Sequence, residues 1–306
     1  MKKPEPDFLD YMSTVISSLR ASERMGTAHV YQSTLNRIKD FIKGTSLSFA
    51  DITPQWLISF QEHLLRSLLH WNTISTYMRA MRAVYNRAVD AGMAPYRPRL
   101  FKGVFTGTKV RVKRALDEQS ISRMGQPVEG EVEAGVDTAR LMFLLLFVLR
   151  GIPFVDIAYM RRCDLQGSLL TYRRRKTGAW LTVRVEPEAM QLIERLKNPD
   201  ADSPYLFPFI SGTGAEAYRQ YTNALRRFNY QLKRLEKLMG GGVRLSTYAA
   251  RHSWATIANF CNFQPELICN AMGHSSVKVT ETYFKRYADE RIHEMNRSIL
   301  STVFRR

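Results

Sequence analysis

The chain has 306 residues, 45% hydrophobic and 24% charged, which is material for about two domains and their cores. Lys and Arg number 45 against 28 Asp and Glu, and the net charge of +17 favours a polyanionic partner, nucleic acid before an anionic membrane. No stretch approaches the ~18 apolar residues of a membrane span. Cys163, Cys261 and Cys269 lack CxxC spacing, which speaks against a disulfide framework or a thiolate zinc site and for a reducing cytoplasm.

The N-terminus, MKKPEPDFLDYM, has no apolar block after its lysines and does not read as a secretory signal. Residues 1–95 read as successive helices. Val30, Tyr31, Leu35, Ile38, Phe41 and Ile42 recur at helical spacing and stop near Gly44. Thr53 is a candidate N-cap with Pro54 at the first helical position. A further stripe of Ile74, Tyr77, Met78, Met81, Val84 and Tyr85 ends near Gly92, with Arg79, Arg82 and Arg87 on the opposite face. Residues 96–114 are rich in Pro, Gly and basic side chains without helical period, and read as a basic linker.

A second domain is expected over residues 115–306. TARLMFLLLFVL is apolar almost all round, which predicts a helix buried on every side, ending at Arg150-Gly151 with Pro153 starting the next. LLTYRRRKTGAWLTVRV switches to period two, predicting two short strands about a turn at Thr177-Gly178. Helical pattern then returns to the end, where Ile292, Met295, Ile299 and Leu300 form an apolar stripe. The fold class is therefore mainly α with a small β-hairpin, in two domains.

AMGHSSVKVTETYFKRY, residues 271–287, raises the chemical question, because one of its two tyrosines is a candidate nucleophile. Attack on a phosphodiester by a phenol needs in-line placement, cations on the nonbridging oxygens, a proton acceptor and an acid for the leaving oxygen. Arginine suits the cationic clamp because its planar fork grips phosphate oxygens in pairs and stays charged. LSTYAARHSWAT supplies Arg251 and His252 on a helix after a Ser/Thr cap, and RRRKTG supplies Lys176 at a turn.

With Gly273-His274 following and Tyr283 nine residues beyond the histidine, the sequence resembles the tyrosine recombinase (phage integrase) family, and within it the integrases of Bacteroides-type bacteria and their mobile elements. The resemblance implies a helical core-binding domain, a catalytic domain and site-specific strand cleavage through a 3′-phosphotyrosyl intermediate, with no cofactor and no metal. It implies Tyr283 as nucleophile, with Tyr287 left to packing, and Arg251 as a phosphate clamp. His274 would contact the phosphate or assist proton transfer, and Lys176 would be the acid for the leaving 5′-oxygen. It also implies double-stranded DNA as partner, a tetramer on paired sites formed through the C-terminal helix, and a place with the bacterial nucleoid in the cytoplasm.

Two positions depart from the family pattern. Tyr248 stands where a histidine or lysine is usual, and a neutral phenol is a poorer proton acceptor, so that role would pass to His252 or His274. In LRGIPFVDIAYMR, Pro153 occupies the place of the first arginine, with Asp156 at the buttressing acid. Arg150, about one helical turn earlier, is the expected replacement, ahead of Arg161 and Arg162. A binding-only relative of a recombinase and a type IB-like topoisomerase are the rival readings. A metal-dependent nuclease would need a carboxylate cluster that the sequence does not show at ligand spacing.

Overall fold

The computed structural model describes residues 7–109, 115–127, 132–240 and 244–284, together with His293, Met295, Asn296, Arg297, Ile299 and Ser301. The chain divides into two compact units, Met1–Arg111 and Val112–Arg306.

The first unit packs four helices, α1 (Phe8–Ala21), α2 (Met25–Ile42), α3 (Pro54–Arg66) and α4 (Trp71–Asp90). Their starts have local causes. Asp7 caps α1, its Oδ1 accepting from Leu9 N at 2.7 Å while Oδ2 accepts from Leu47 N at 2.9 Å. Thr53 caps α3 through Trp56 N, with Pro54 at the first turn where its missing N–H costs nothing. Lys43 ends α2 in the left-handed region at φ 52°, one residue before the glycine expected to stop it. Ile74, Met78, Met81, Val84 and Tyr85 of α4 are buried as their period demands, and Arg79, Arg82 and Arg87 are exposed.

The segment read as a linker from residue 96 is part of this unit as far as residue 109. Leu100, Phe101 and Val104 join its core. Polar groups of the helices and their connections hold the irregular backbone. Tyr85 Oη donates to Pro95 O, Ser75 Oγ donates to Gly107 O, and Asn72 both donates to and accepts from the Lys109 backbone. Arg97 donates to the Ile52 and Ala50 carbonyls. Three apolar side chains and these bonds outweigh the absence of a regular period. Residues 110–114 of the expected linker lie outside the described residues.

In the second unit α5 (Glu118–Gly125) precedes α6 (Ala134–Val148), in which every residue from Ala139 to Leu146 is buried. α6 is central, in contact with α5, α8 (Pro187–Leu196), α9 (Gly214–Leu238) and α10 (Thr247–Phe260). Between α6 and α8 lie the short α7 (Phe154–Ala158), a 3-10 turn (Arg162–Asp164) and an antiparallel sheet β1-β2-β3 (Leu165–Gln166, Leu169–Arg173, Trp180–Arg184). The hairpin β2-β3 was expected, and the two-residue β1 adds a third strand. In register Leu170 faces Val183 and Tyr172 faces Leu181. Two helices complete the described fold, α11 (Pro265–Met272) and α12 (Val277–Glu281).

Of the expected tail stripe, Met295 and Ile299 have helical backbone and exposed side chains, while Ile292 and Leu300 lie outside the described residues. No helix among the described residues is long and apolar enough to cross a membrane.

Candidate active site

α10 sets the base of the site. Tyr248, Arg251 and His252 fall at i, i+3 and i+4, and so share one helix face. Arg251 is 2% exposed and its guanidinium is committed to carbonyls at the ends of two other elements. Nη1 donates to Gly151 O at 2.6 Å, and Nη2 donates to Met272 O at 2.8 Å. Its Nε is buried without a hydrogen-bond partner among the described residues. Burial and the neighbouring Arg174 lower its pKa, and Tyr283 and Tyr248 oppose this, yet an arginine stays charged.

Gly151 and Gly273 are required where they stand. Gly151 has φ +65°, and a Cβ there would lie 2.8 Å from Arg251 Cα. Gly273 ends α11 at φ +61°, where a Cβ would come within 2.8 Å of Leu181 and 3.1 Å of Arg174. The glycine before the histidine thus lets the hairpin and the arginines close on the α11 terminus.

His274 follows that turn. Its Nε2 is 2.7 Å from Arg251 Nη2 and its Nδ1 is 2.8 Å from Thr280 Oγ1. Arg251 has only hydrogens to offer, so Nε2 accepts, and Nδ1–H donates to the buried Thr280 hydroxyl. Burial, with the positive fields of Arg251, Arg174 and Lys176, pushes the His274 pKa down to about 4, so the ring is neutral near pH 7.

Tyr283 lies just past α12, its N bonded to Thr280 O and its carbonyl accepting from Thr256 Oγ1 on α10 at 3.1 Å. Its ring centre is 4.7 Å from His252, 5.0 Å from His274 and 6.3 Å from Tyr248, with the Arg251 guanidinium 5.6 Å away. The Arg251 guanidinium and the Tyr248 hydroxyl are the polar groups whose fields bear on the phenol. Burial raises its pKa, Tyr248 adds to the rise and Arg251 works against it. A phenol beside a guanidinium, ringed by aromatics, is an arrangement that attack on a bound anion would need.

Lys176 is exposed at the hairpin tip, and its charge reaches His274. Tyr287 lies outside the described residues. Arg150 forms no hydrogen bond with these side chains among the described residues. It has φ +60°, and its Nη1 faces the Thr182 carbonyl of β3 at 3.5 Å, the outer limit of a hydrogen bond. Arg162 is taken up by the carbonyls of Asn198, Asp200 and Ser203.

Arg174 was missed by the sequence reading. It is 4% exposed, its Nε 3.4 Å from Asp156 Oδ2, and its Nη1 donates to Met272 O at 3.0 Å and Gly273 O at 2.8 Å. Asp156 also accepts from Arg175 N at 2.9 Å; burial pushes its pKa up while these bonds work against the rise. The available signal was the period of β2, because Leu170, Tyr172 and Arg174 alternate inward while Arg173 and Arg175 face out.

Residues 7–103 match the family described as phage integrase SAM-like domain. Over 95% of this chain and 99% of its own length, the Tn1549 transposon integrase in complex with transposon right end DNA is similar, at 14% identity and a TM-score of 0.66. The chain has the tyrosine recombinase fold. A lambda integrase dimer bound to a COC′ core site is similar over 90% of this chain and 76% of its own, at 14% identity and a TM-score of 0.61. A lambda integrase tetramer bound to a Holliday junction matches over 94% and 80%, at 13% identity and a TM-score of 0.62. No curated protein sequence matches the chain. Within this recombinase fold, Arg251, His274, Tyr248 and Tyr283 stand together, and Lys176 stands on the adjoining hairpin.

Proposed function

We propose that the protein is a site-specific DNA recombinase. Tyr283 Oη attacks the scissile phosphorus, a Tyr–O–P bond forms as the P–O5′ bond breaks, and the chain is left on the 3′ phosphate. Arg251 neutralises the nonbridging oxygens, and Lys176 gives a proton to the departing 5′-oxygen. His274, neutral and fixed by Thr280, supports the clamp through Arg251. Tyr248 and His252 are the groups beside the phenol that can take up or relay its proton. Rejoining is the same step reversed, so the bond energy is conserved and no nucleotide is consumed.

The observation that carries this reading is the position of Tyr283, whose ring lies 5.6 Å from a guanidinium that is 2% exposed. The charge of +17 suits duplex DNA as the partner and makes binding steeply dependent on salt. The Tn1549 likeness supports a mobile-element integrase, and the narrower Bacteroides-type resemblance rests on sequence alone. Assembly as dimers and tetramers on paired sites is supported by the lambda integrase structures, and the exposed Met295 and Ile299 suit docking of the tail on a neighbouring protomer. Such a protein works in the cytoplasm, at the nucleoid.

The test uses duplexes randomised around a single nick, with EDTA present. A nick lets the released strand end diffuse away, so the covalent adduct accumulates. Wild-type protein is expected to yield a detergent-stable, protease-sensitive adduct enriched in one sequence. Tyr283→Phe should bind the recovered duplex and form no adduct. Retardation of DNA by the wild type with no adduct on any duplex would make the protein a binding module.

A further inference from the structure

We infer that Arg174, from the β-hairpin, is the second guanidinium of the phosphate clamp, filling the role left open by Pro153 and expected of Arg150. The inference rests on the recombinase reading and concerns the same site.

Phosphoryl transfer through a charged transition state is served by cations on both nonbridging oxygens, and Arg251 alone offers one fork. Pro153 caps α7 and has no charge to give. Asp156, one turn into α7, therefore has no arginine on its own helix to hold, and it is Arg174 that reaches it across 18 residues of sequence. The carboxylate orients that side chain by Nε. Met272 O and Gly273 O orient it by Nη1, leaving Nη2 uncommitted among the described residues.

The second observation is the pairing of like charges. Arg174 Nη1 and Arg251 Nη2 both donate to Met272 O, at 3.0 and 2.8 Å, so the two guanidiniums lie side by side. Each is less than 5% exposed, and Asp156 is the acid beside them. Lys176 adds a third cation whose field, like theirs, bears on His274. Cations crowded in a site shielded from water repel one another strongly, and an anion bound between them relieves the repulsion. Arg251 Nε, buried without a partner among the described residues, and Arg174 Nη2, outside the bonds that Nε and Nη1 make, are donors such an anion would use. Arg150 makes none of these bonds. Its field bears on Tyr172, as do those of Arg174 and Arg251, and its fork faces the β3 carbonyl.

The experiment compares two versions of the duplex recovered by adduct formation, one with a phosphodiester at the scissile position and one with a methylphosphonate, which lacks one charged oxygen. A group that neutralises that oxygen is less needed on the neutral substrate. Arg174→Ala and Arg174→Lys are expected to form adduct about a hundredfold more slowly on the phosphodiester and to recover at least tenfold of that loss on the methylphosphonate. Arg150→Ala is expected to stay within about threefold of wild type on both. Arg174→Lys retains a charge for Asp156, so a folding defect in Arg174→Ala does not silence the test. If the neutral substrate relieves neither Arg174 variant, whether they are folded or not, Arg174 is a structural residue and the inference falls. It falls equally if Arg150→Ala shows the loss and the recovery. Absence of wild-type adduct would instead overturn the recombinase reading itself.

Discussion

His274 makes the stability of the second unit depend on pH in a direction that can be worked out. Its pKa is pushed down to about 4 by burial and by Arg251, Arg174 and Lys176, from an ordinary value near 6.5. Between those values the unfolded chain binds a proton at this position and the folded chain does not. Stability is therefore fully present above about pH 6.5 and falls as the pH drops toward 4. The whole interval is worth at most about 3 kcal/mol, and the part between about pH 7 and pH 5 about 2 kcal/mol. The ring is only partly buried, so solvent screening brings the expected change to about 1 kcal/mol. Urea denaturation at about pH 7 and about pH 5 measures it, with His274→Gln as the reference that does not titrate. Wild type should lose about 1 kcal/mol more than the variant across that range. Equal losses would mean that His274 is not held neutral by its neighbours, and its assigned tautomer would fall with that.

Gly151→Ala should lower stability by about 2–4 kcal/mol, seen as a drop in Tm, because a left-handed alanine is strained and its Cβ would lie 2.8 Å from the Arg251 backbone. Adduct formation should fall with it, since Arg251 must shift. Tyr248→Phe should form adduct within about tenfold of wild type, because it removes only one neutral hydroxyl from beside the Tyr283 ring. Complete loss of adduct in Tyr248→Phe, with Tyr283→Phe still active, would exchange the roles of the two tyrosines.

Much of the site was legible in sequence because its members sit on short, strongly patterned stretches. Tyr248, Arg251 and His252 share a face simply by helical spacing, and the glycine of Gly273-His274 marks a left-handed turn that brings the histidine back toward α10. The fold class was readable for the same reason, in the all-apolar α6 and the period-two hairpin. Arg174 was not, because in RRRK composition cannot rank four adjacent cations. Only the strand register turns one of them inward, and only the carboxylate and carbonyls waiting there make its burial tolerable. The displaced arginine was sought nearby in sequence at Arg150, whereas the one proposed, Arg174, comes from the sheet. Likewise residues 96–109 looked like free linker, since Leu100, Phe101 and Val104 follow no period, and their burial depends on α3 and α4 being present.

Met272 O, gripped by two arginines, and Tyr283 O, gripped by Thr256, are fixed points at the two ends of one short run of chain. Thr280 ties that run in the middle to His274. Between these anchors Ser275, Ser276, Lys278 and Val279 are exposed. The segment therefore acts as a molecular ruler. Its outward letters are free to drift, but adding or deleting a single residue would carry the phenol away from the guanidiniums however faithfully every catalytic residue were kept.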